Sequence, residues 1–184
     1  FTTSQNGGIS TDGTYLYIAN PRNYRIDKFS LTGVWQAAVK VRYSVYTNSW
    51  VTNTANLLTS WDLNNGCEAP HSLWVDSVSG NFYVTVLGEC SLGDAWTGAF
   101  VVKLNLTSGN VIGWQGGILP TNLPTAGDAG CAGANGVTPG WCQGGTAIIN
   151  LKMGQFHLAR GISGDSNFIY VTDVGNHRLT RIPK

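Results

Sequence analysis

RGISGDSNFIYVTDVGNHRLTRIPK, Arg160 to Lys184, reads as three short strands and the turns between them. Gly161-Ile-Ser is the first run, Phe168-Ile-Tyr-Val-Thr the second and His177-Arg-Leu-Thr-Arg-Ile the third. Gly164-Asp-Ser-Asn and Asp173-Val-Gly-Asn lie between them, and these residue types accept turn geometry between β-rich runs. The same pattern stands near the start, as Gly8-Ile-Ser-Thr-Asp-Gly, Tyr15-Leu-Tyr-Ile-Ala-Asn and Asn23-Tyr-Arg-Ile-Asp-Lys-Phe. Superposed, Asn20 falls on Asp173, Asn23 on Asn176, Arg25 on Arg178 and Lys28 on Arg181. A weaker third copy uses Ser72-Leu-Trp-Val-Asp, Asn81-Phe-Tyr-Val-Thr-Val and Phe100-Val-Val-Lys-Leu. The copies begin at Gly8, Ser72 and Gly161, which are 64 (72 − 8) and 89 (161 − 72) residues apart. A four-stranded propeller blade takes roughly 40–45 residues, so each unit carries a blade plus a substantial insertion.

Tyr170-Val-Thr-Asp-Val-Gly-Asn-His-Arg-Leu resembles the signature of NHL-repeat β-propellers, with Asn176-His177 and Arg178-Leu179 as the eponymous segment. Tyr17-Ile-Ala-Asn with Asn23-Tyr-Arg-Ile is a second match, whereas the middle unit has a long loop in place of the Asn-His-Arg turn. The resemblance covers roughly half the chain. It implies a bacterial-type secreted repeat protein, all-β, built as about three NHL-like blades, each a four-stranded antiparallel meander. Residues 1–184 are expected to form a single propeller segment. Activity does not follow from this, because propellers host many functions.

Hydrophobic residues make up 42% of the 184, so a packed core is expected, and no apolar run approaches the ~20 residues of a membrane-spanning helix. Only 11% of residues are charged, well below the ~25% usual in soluble domains. Ser, Thr, Asn and Gly must therefore cover the surface. A net charge of +1 gives no electrostatic case for nucleic acid or anionic lipid.

The four cysteines are Cys67, Cys90, Cys131 and Cys142. Their spacing does not suit structural zinc, and an even count in such a chain suggests disulfides and an oxidising compartment. Secretion or a cell-surface location is expected, with the periplasm as the bacterial alternative, and the start at Phe1 suggests a mature or excised segment. Gly130-Cys131 to Trp141-Cys142 encloses a short loop, and a local bridge there is the economical pairing. Cys67 is then left with Cys90, although other connectivities stay open on sequence alone.

Strands are expected at 8–11, 15–19, 25–30 and 34–39 in the first unit, with Thr32-Gly33 as a turn. In the second unit the last two fall at 99–105 and 111–114. The insertions are 40–70, 87–98 and 118–157, the last rich in Gly, Pro and Ala. In a meander blade the connection between strands two and three lies on the same face as the connection between blades, so all three insertions should emerge together. Loops gathered on one side of a rigid scaffold are where recognition usually resides. The aromatic residues there serve either as a satellite core or as a stacking surface for sugars or a peptide. The ligand-binding candidates are Tyr46, Trp50, Trp61, His71, Trp96, Trp141 and Arg160.

Pro70-His71-Ser resembles a turn of peptidyl-hydroxyglycine lyases, propeller enzymes whose zinc is held by one His from each of several blades. The equivalent positions here are Gly7 and Arg160, and a single His does not make a zinc site. His157 lies three residues from the matching position. Asp12, Asn20, Arg25, Asp165, Asp173 and Arg178 recur at repeat positions, which points to turn stabilisation rather than acid–base work. Glu89 and Asp94 lack the spacing of a calcium loop. The expectation is a non-catalytic protein without metal or cofactor.

The last unit stops after its third strand, at Ile182-Pro-Lys, so the chain holds fewer than three full blades, whereas closed propellers hold roughly four to eight. The ring is then completed by parent-chain blades or by other copies of the chain, or Phe1–Gln5 supplies the missing outer strand; assembly and fragment are favoured. The expected function is extracellular recognition or adhesion, with a glycan or protein held at the loop-bearing face. The alternative is a purely structural repeat segment in a homo-oligomeric surface assembly, with a lyase-like enzyme third.

Overall fold

A computed structural model describes residues 7–40, 50, 52, 68–88, 99–118, 120–145, 147–148 and 155–184. Every regular element among them is a β-strand, apart from two single turns of 3-10 helix. The first sheet is an antiparallel meander of β1 (Ile9–Thr11), β2 (Tyr15–Asn20), β3 (Arg25–Ser30) and β4 (Trp35–Lys40). The second begins as the same meander, with β5 (Glu68–Asp76), β6 (Asn81–Gly88), β7 (Phe100–Asn105) and β8 (Val111–Ile118). Beyond β8 it continues through β10 (Cys142–Gly144) to β9 (Pro124–Gly127), while β11 (Ala147–Ile148) also pairs with β8. The third sheet is β12 (Ala159–Gly164), β13 (Phe168–Asp173) and β14 (Arg178–Pro183).

The turns show why these residues alternate as they do. Asp12 Oδ1 accepts the N–H groups of Thr14 and Tyr15, both at 2.7 Å, and its Oδ2 accepts the Tyr17 hydroxyl at 2.8 Å. Asp165 repeats this in the third sheet, taking Asn167 N, Phe168 N and the Tyr170 hydroxyl. One carboxylate thus holds the turn and the strand that leaves it. At the far end of β2 and of β13, Pro21–Asn23 and Val174–Asn176 each form one 3-10 turn. Tyr24 (φ 52) and His177 (φ 50), the only described non-glycine residues at positive φ, close these turns at matching repeat positions. In the third sheet the fully buried Asp173 accepts His157 N, Leu158 N, Asn176 Nδ2 and Arg178 Nε. In the first, Asn20 holds Asn23 and donates to Asp27, which also receives Trp35 Nε1 and pairs with Arg25. Recurrence of these residues in the chain is therefore recurrence of a turn.

The second sheet is covered on both faces. Phe82 through Leu87 are buried without interruption, as in a strand that has no solvent side. One face, with Leu73, Val75, Phe82, Val84, Phe100 and Val102, shares a core with Tyr17, Ala19, Ile26 and Val39 of the first sheet. The other, with Tyr83, Ala99 and Val101, shares a core with Ala159, Ile169 and Val171 of the third. Burying each large apolar side chain in these layers contributes about 1.5–3 kcal/mol. The first strands of the three units adjoin one another: Gly8 N donates to His71 O at 2.7 Å, and Val75 N to Ser10 Oγ at 3.1 Å. Thr85 Oγ1 donates to Arg160 O at 2.8 Å.

The residues expected to form the longest insertion differ from a plain loop. β9, β10 and β11 extend the second sheet along the outer edge of β8 and over its end, with Gln143 Nε2 and Trp114 Nε1 pinning the join through Ile112 O and Gly144 O. The Cys131–Cys142 bridge closes the segment locally, and both cysteines are buried. Cys67, Cys90 and residues 1–6 lie outside the described residues.

Candidate functional site

At the start of the inner strands the backbone departs from regular pairing. Pro70 pairs with Val86 and Ser72 with Thr85, so His71 is the extra residue of a β-bulge. Ala159 pairs with Asp173 and Ile162 with Val171, which sets Arg160 and Gly161 opposite Thr172 in the matching bulge of the third sheet. A threonine hydroxyl fills each one. Thr85 Oγ1 accepts Ser72 N at 3.0 Å, and Thr172 Oγ1 accepts Gly161 N at 2.7 Å. Bulges re-aim side chains at the rim of a sheet. Here they place one histidine and one arginine at equivalent positions on adjacent strands.

The Arg160 side chain is exposed and His71 is half-buried. Their strands are linked through the bulge itself, because the Thr85 hydroxyl that takes Ser72 N also reaches Arg160 O. The exposed Arg160 offers a planar fork of donors that suits carboxylates or hydroxyl-rich groups, whereas His71 keeps its Nε2 closed off from solvent. His157 sits elsewhere: its backbone N–H donates to Asp173, and its ring lies against Gly175, where an added Cβ would fall 2.4 Å from Nδ1. Among the described residues no group of three His, Cys, Asp or Glu side chains stands close enough to hold a metal ion.

Trp50 and Trp141 lie at the other end, beside the tight turns. Trp50 Nε1 donates to Leu106 O and its N–H to Ser108 O, in the β7–β8 turn. Its ring packs on Tyr17 and Phe82, with centroids 5.9 and 5.8 Å away. The connection from β4 to β5 thus leaves and enters the sheets at the loop-bearing end, as expected, while its Trp50 sits at the tight-turn end. Trp141 is buried against Tyr83 at 5.5 Å, on which Trp74 also stacks at 5.6 Å. Both residues serve the interior of the fold. Tyr46, Trp61 and Trp96 lie outside the described residues.

One recurring feature escaped the sequence reading in the middle unit. Tyr17 pairs across strands with Lys28, Tyr83 with Lys103, and Tyr170 with Arg181. Lys28 Nζ lies 3.8 Å from the Tyr15 ring centre, and Lys103 Nζ lies 5.5 Å from that of Trp141. Burial holds both lysines below the usual ammonium range, against the attraction of Asp12 in one case and of Asp128 in the other. Burial also pushes the Tyr83 phenol up to about 12. Only the insertion at 89–98 hides this match, by changing the spacing between tyrosine and cation.

No protein-family model matches the chain, and no curated protein matches it. Among solved structures it is similar to hydrazine synthase of Kuenenia stuttgartiensis, at 13% identity and a TM-score of 0.33. That match covers 96% of this chain and 64% of the other, so this chain spans less than two thirds of its length. A likeness at this score carries no argument about fold or function. No described helix is long and apolar enough to cross a membrane.

Proposed function

We propose that this chain is a non-catalytic, NHL-like recognition module that takes a glycan at the end where its inner strands begin. The observation that carries the reading is the pair of matching bulges that present His71 and Arg160 from adjacent inner strands. The longer connections of the chain, 41–67 and 89–98 among them, leave and enter the sheets at this same end. The repeated turn closed by Tyr24 and His177 supports the NHL likeness, and the Cys131–Cys142 bridge favours a secreted or cell-surface location.

Calorimetric titration against neutral and uronic-acid oligosaccharides tests the reading. Arg160→Ala and His71→Ala should each weaken binding about tenfold or more while leaving the melting temperature of the free chain within a few degrees. Binding that ignores both substitutions removes these residues from the site. Absence of glycan binding, with capture of a surface protein in its place, turns the recognition reading to a protein ligand. The second reading, a structural segment in a homo-oligomeric assembly, is favoured by the internal packing of Trp50 and Trp141, which takes two aromatics away from any ligand face.

A further inference from the structure

The two interfaces inside the molecule are the same interface used twice. The strand alignment makes Tyr17, Tyr83 and Tyr170 equivalent, along with Leu16, Phe82 and Ile169, and Ile18, Val84 and Val171. The tyrosine face of the first sheet covers Phe82 and Val84 of the second, with the Tyr17 and Phe82 rings 6.2 Å apart. The tyrosine face of the second covers Ile169 and Val171 of the third. Tyr17 is 1% exposed and Tyr83 0%, while Tyr170 remains half-exposed beside exposed Leu179 and Arg181. On the other side of the molecule, Leu16, Ile18 and Phe29 share a face with Ile9 and belong to neither core. Ile9 is 62% exposed and Leu179 66%. Among the described residues, one copy of each half of an interface that the molecule already forms twice is thus left unmated.

We propose that the occupant of both faces is a second copy of this chain, docked head to tail so that the Tyr170 face of one covers the Leu16–Ile18 face of the other. The polar contacts of the existing interfaces are available again. Thr172 matches Thr85 and Gly7 matches Arg160, so the Thr172 hydroxyl donates to the partner's Gly7 carbonyl as Thr85 does to Arg160. Ser163 matches Ser10 and Thr11 matches Val75, so Ser163 Oγ receives the partner's Thr11 N–H. A head-to-tail contact closes into a ring when its rotation allows. Two copies bring six sheets, within the four to eight that propeller rings hold, whereas three copies bring nine. This inference goes beyond the recognition reading and rests on sheet geometry alone, so the outcome of the glycan titration leaves it untouched.

Sedimentation equilibrium of the 1–184 chain, run beside Ile9→Glu and Leu179→Glu, decides it. The expected result is a wild-type dimer whose dissociation constant rises on the order of 100-fold in each variant, because each places a carboxylate in an apolar contact. Thermal unfolding checks that both variants fold, as their exposure leads one to expect. A Thr11→Cys/Ser163→Cys chain supplies a second route, since a short bis-maleimide should join two copies into a covalent dimer. A monomeric wild type overturns the proposal, and points to further blades of a longer chain as the occupant. A dimer broken by only one of the two glutamates also overturns it, because that marks like face meeting like face. So does a dimer that neither glutamate breaks, or one that the cysteine pair does not link.

Discussion

At the scale of single residues, the carboxylates of Asp12 and Asp76 each hold a turn, and their chemistry predicts how the chain responds to acid. Burial raises the carboxyl of Asp12, but hydrogen bonds from Tyr15 N, Thr14 N and the Tyr17 hydroxyl outweigh it and hold the group below the usual range. Asp76 behaves alike: burial opposes its ionisation, while the Lys184 ammonium and Ser79 hold it low. A carboxyl that is more acidic folded than unfolded binds fewer protons in the native state. Its stabilisation is present above about pH 4, the unfolded value, and is lost as pH falls through the lower folded value. Urea unfolding should therefore show stability falling below about pH 4. Asp12→Asn should cost about 1 kcal/mol at pH 7 and flatten that fall. An unchanged slope in the variant would remove Asp12 from the account. The assignment of Asp12 and Asp165 to turns was legible in the sequence, since recurrence at repeat positions belongs to architecture before chemistry.

At the scale of elements, the 3-10 turn at Val174–Asn176 makes a sharper demand than any strand. His177 closes it at φ 50, a left-handed conformation that costs a residue with a Cβ roughly 1–2 kcal/mol and a β-branched one more. His177→Val should lose about 1–2 kcal/mol in denaturant unfolding, while His177→Asn and His177→Gly should stay within about 0.5 kcal/mol of wild type. Equal losses in all three would show that the imidazole itself matters, against a purely conformational role. Strand boundaries were readable to within a residue in the first unit, where Tyr15–Asn20 alternates in burial and turn formers flank Arg25–Ser30. β8 runs on to Ile118, beyond the expected Trp114, because Gly116 and Gly117 let neighbouring backbone approach. Glycine has weak strand preference by itself, so its place in a ladder depends on the partner strand. The bulges were likewise out of reach, although Tyr83-Val-Thr85 and Tyr170-Val-Thr172 repeat literally. The repetition marks a common task and does not say that a threonine hydroxyl plugs a bulge.

For the whole molecule, the sheets are joined by two apolar layers and a few polar links, and one link can be tested against its own repeat. Thr85→Val keeps the shape and leaves Ser72 N and Arg160 O without the hydroxyl that serves both. A loss of about 2 kcal/mol is expected in equilibrium unfolding. Thr172→Val makes the same change on an exposed face, where water replaces the lost partner, and should cost less than about 0.5 kcal/mol at concentrations that keep the chain monomeric. Equal costs would mean that Thr85 acts only within its own sheet.

The sequence by itself determined the repeat, the meander order and the composition of the turns, because these rest on local propensity and on spacing along one chain. It also pointed to the local Cys131–Cys142 bridge, since a short loop encloses those residues. Tertiary structure alone decided that Trp141 is buried and Trp50 packs against the core, that β9, β10 and β11 widen the second sheet, and that His71 and Arg160 share matching bulges. Each of these depends on which strand lies opposite a residue and which face is covered. Those are relations between distant segments, and the burial and backbone pairing that settle them exist only once the sheets have stacked.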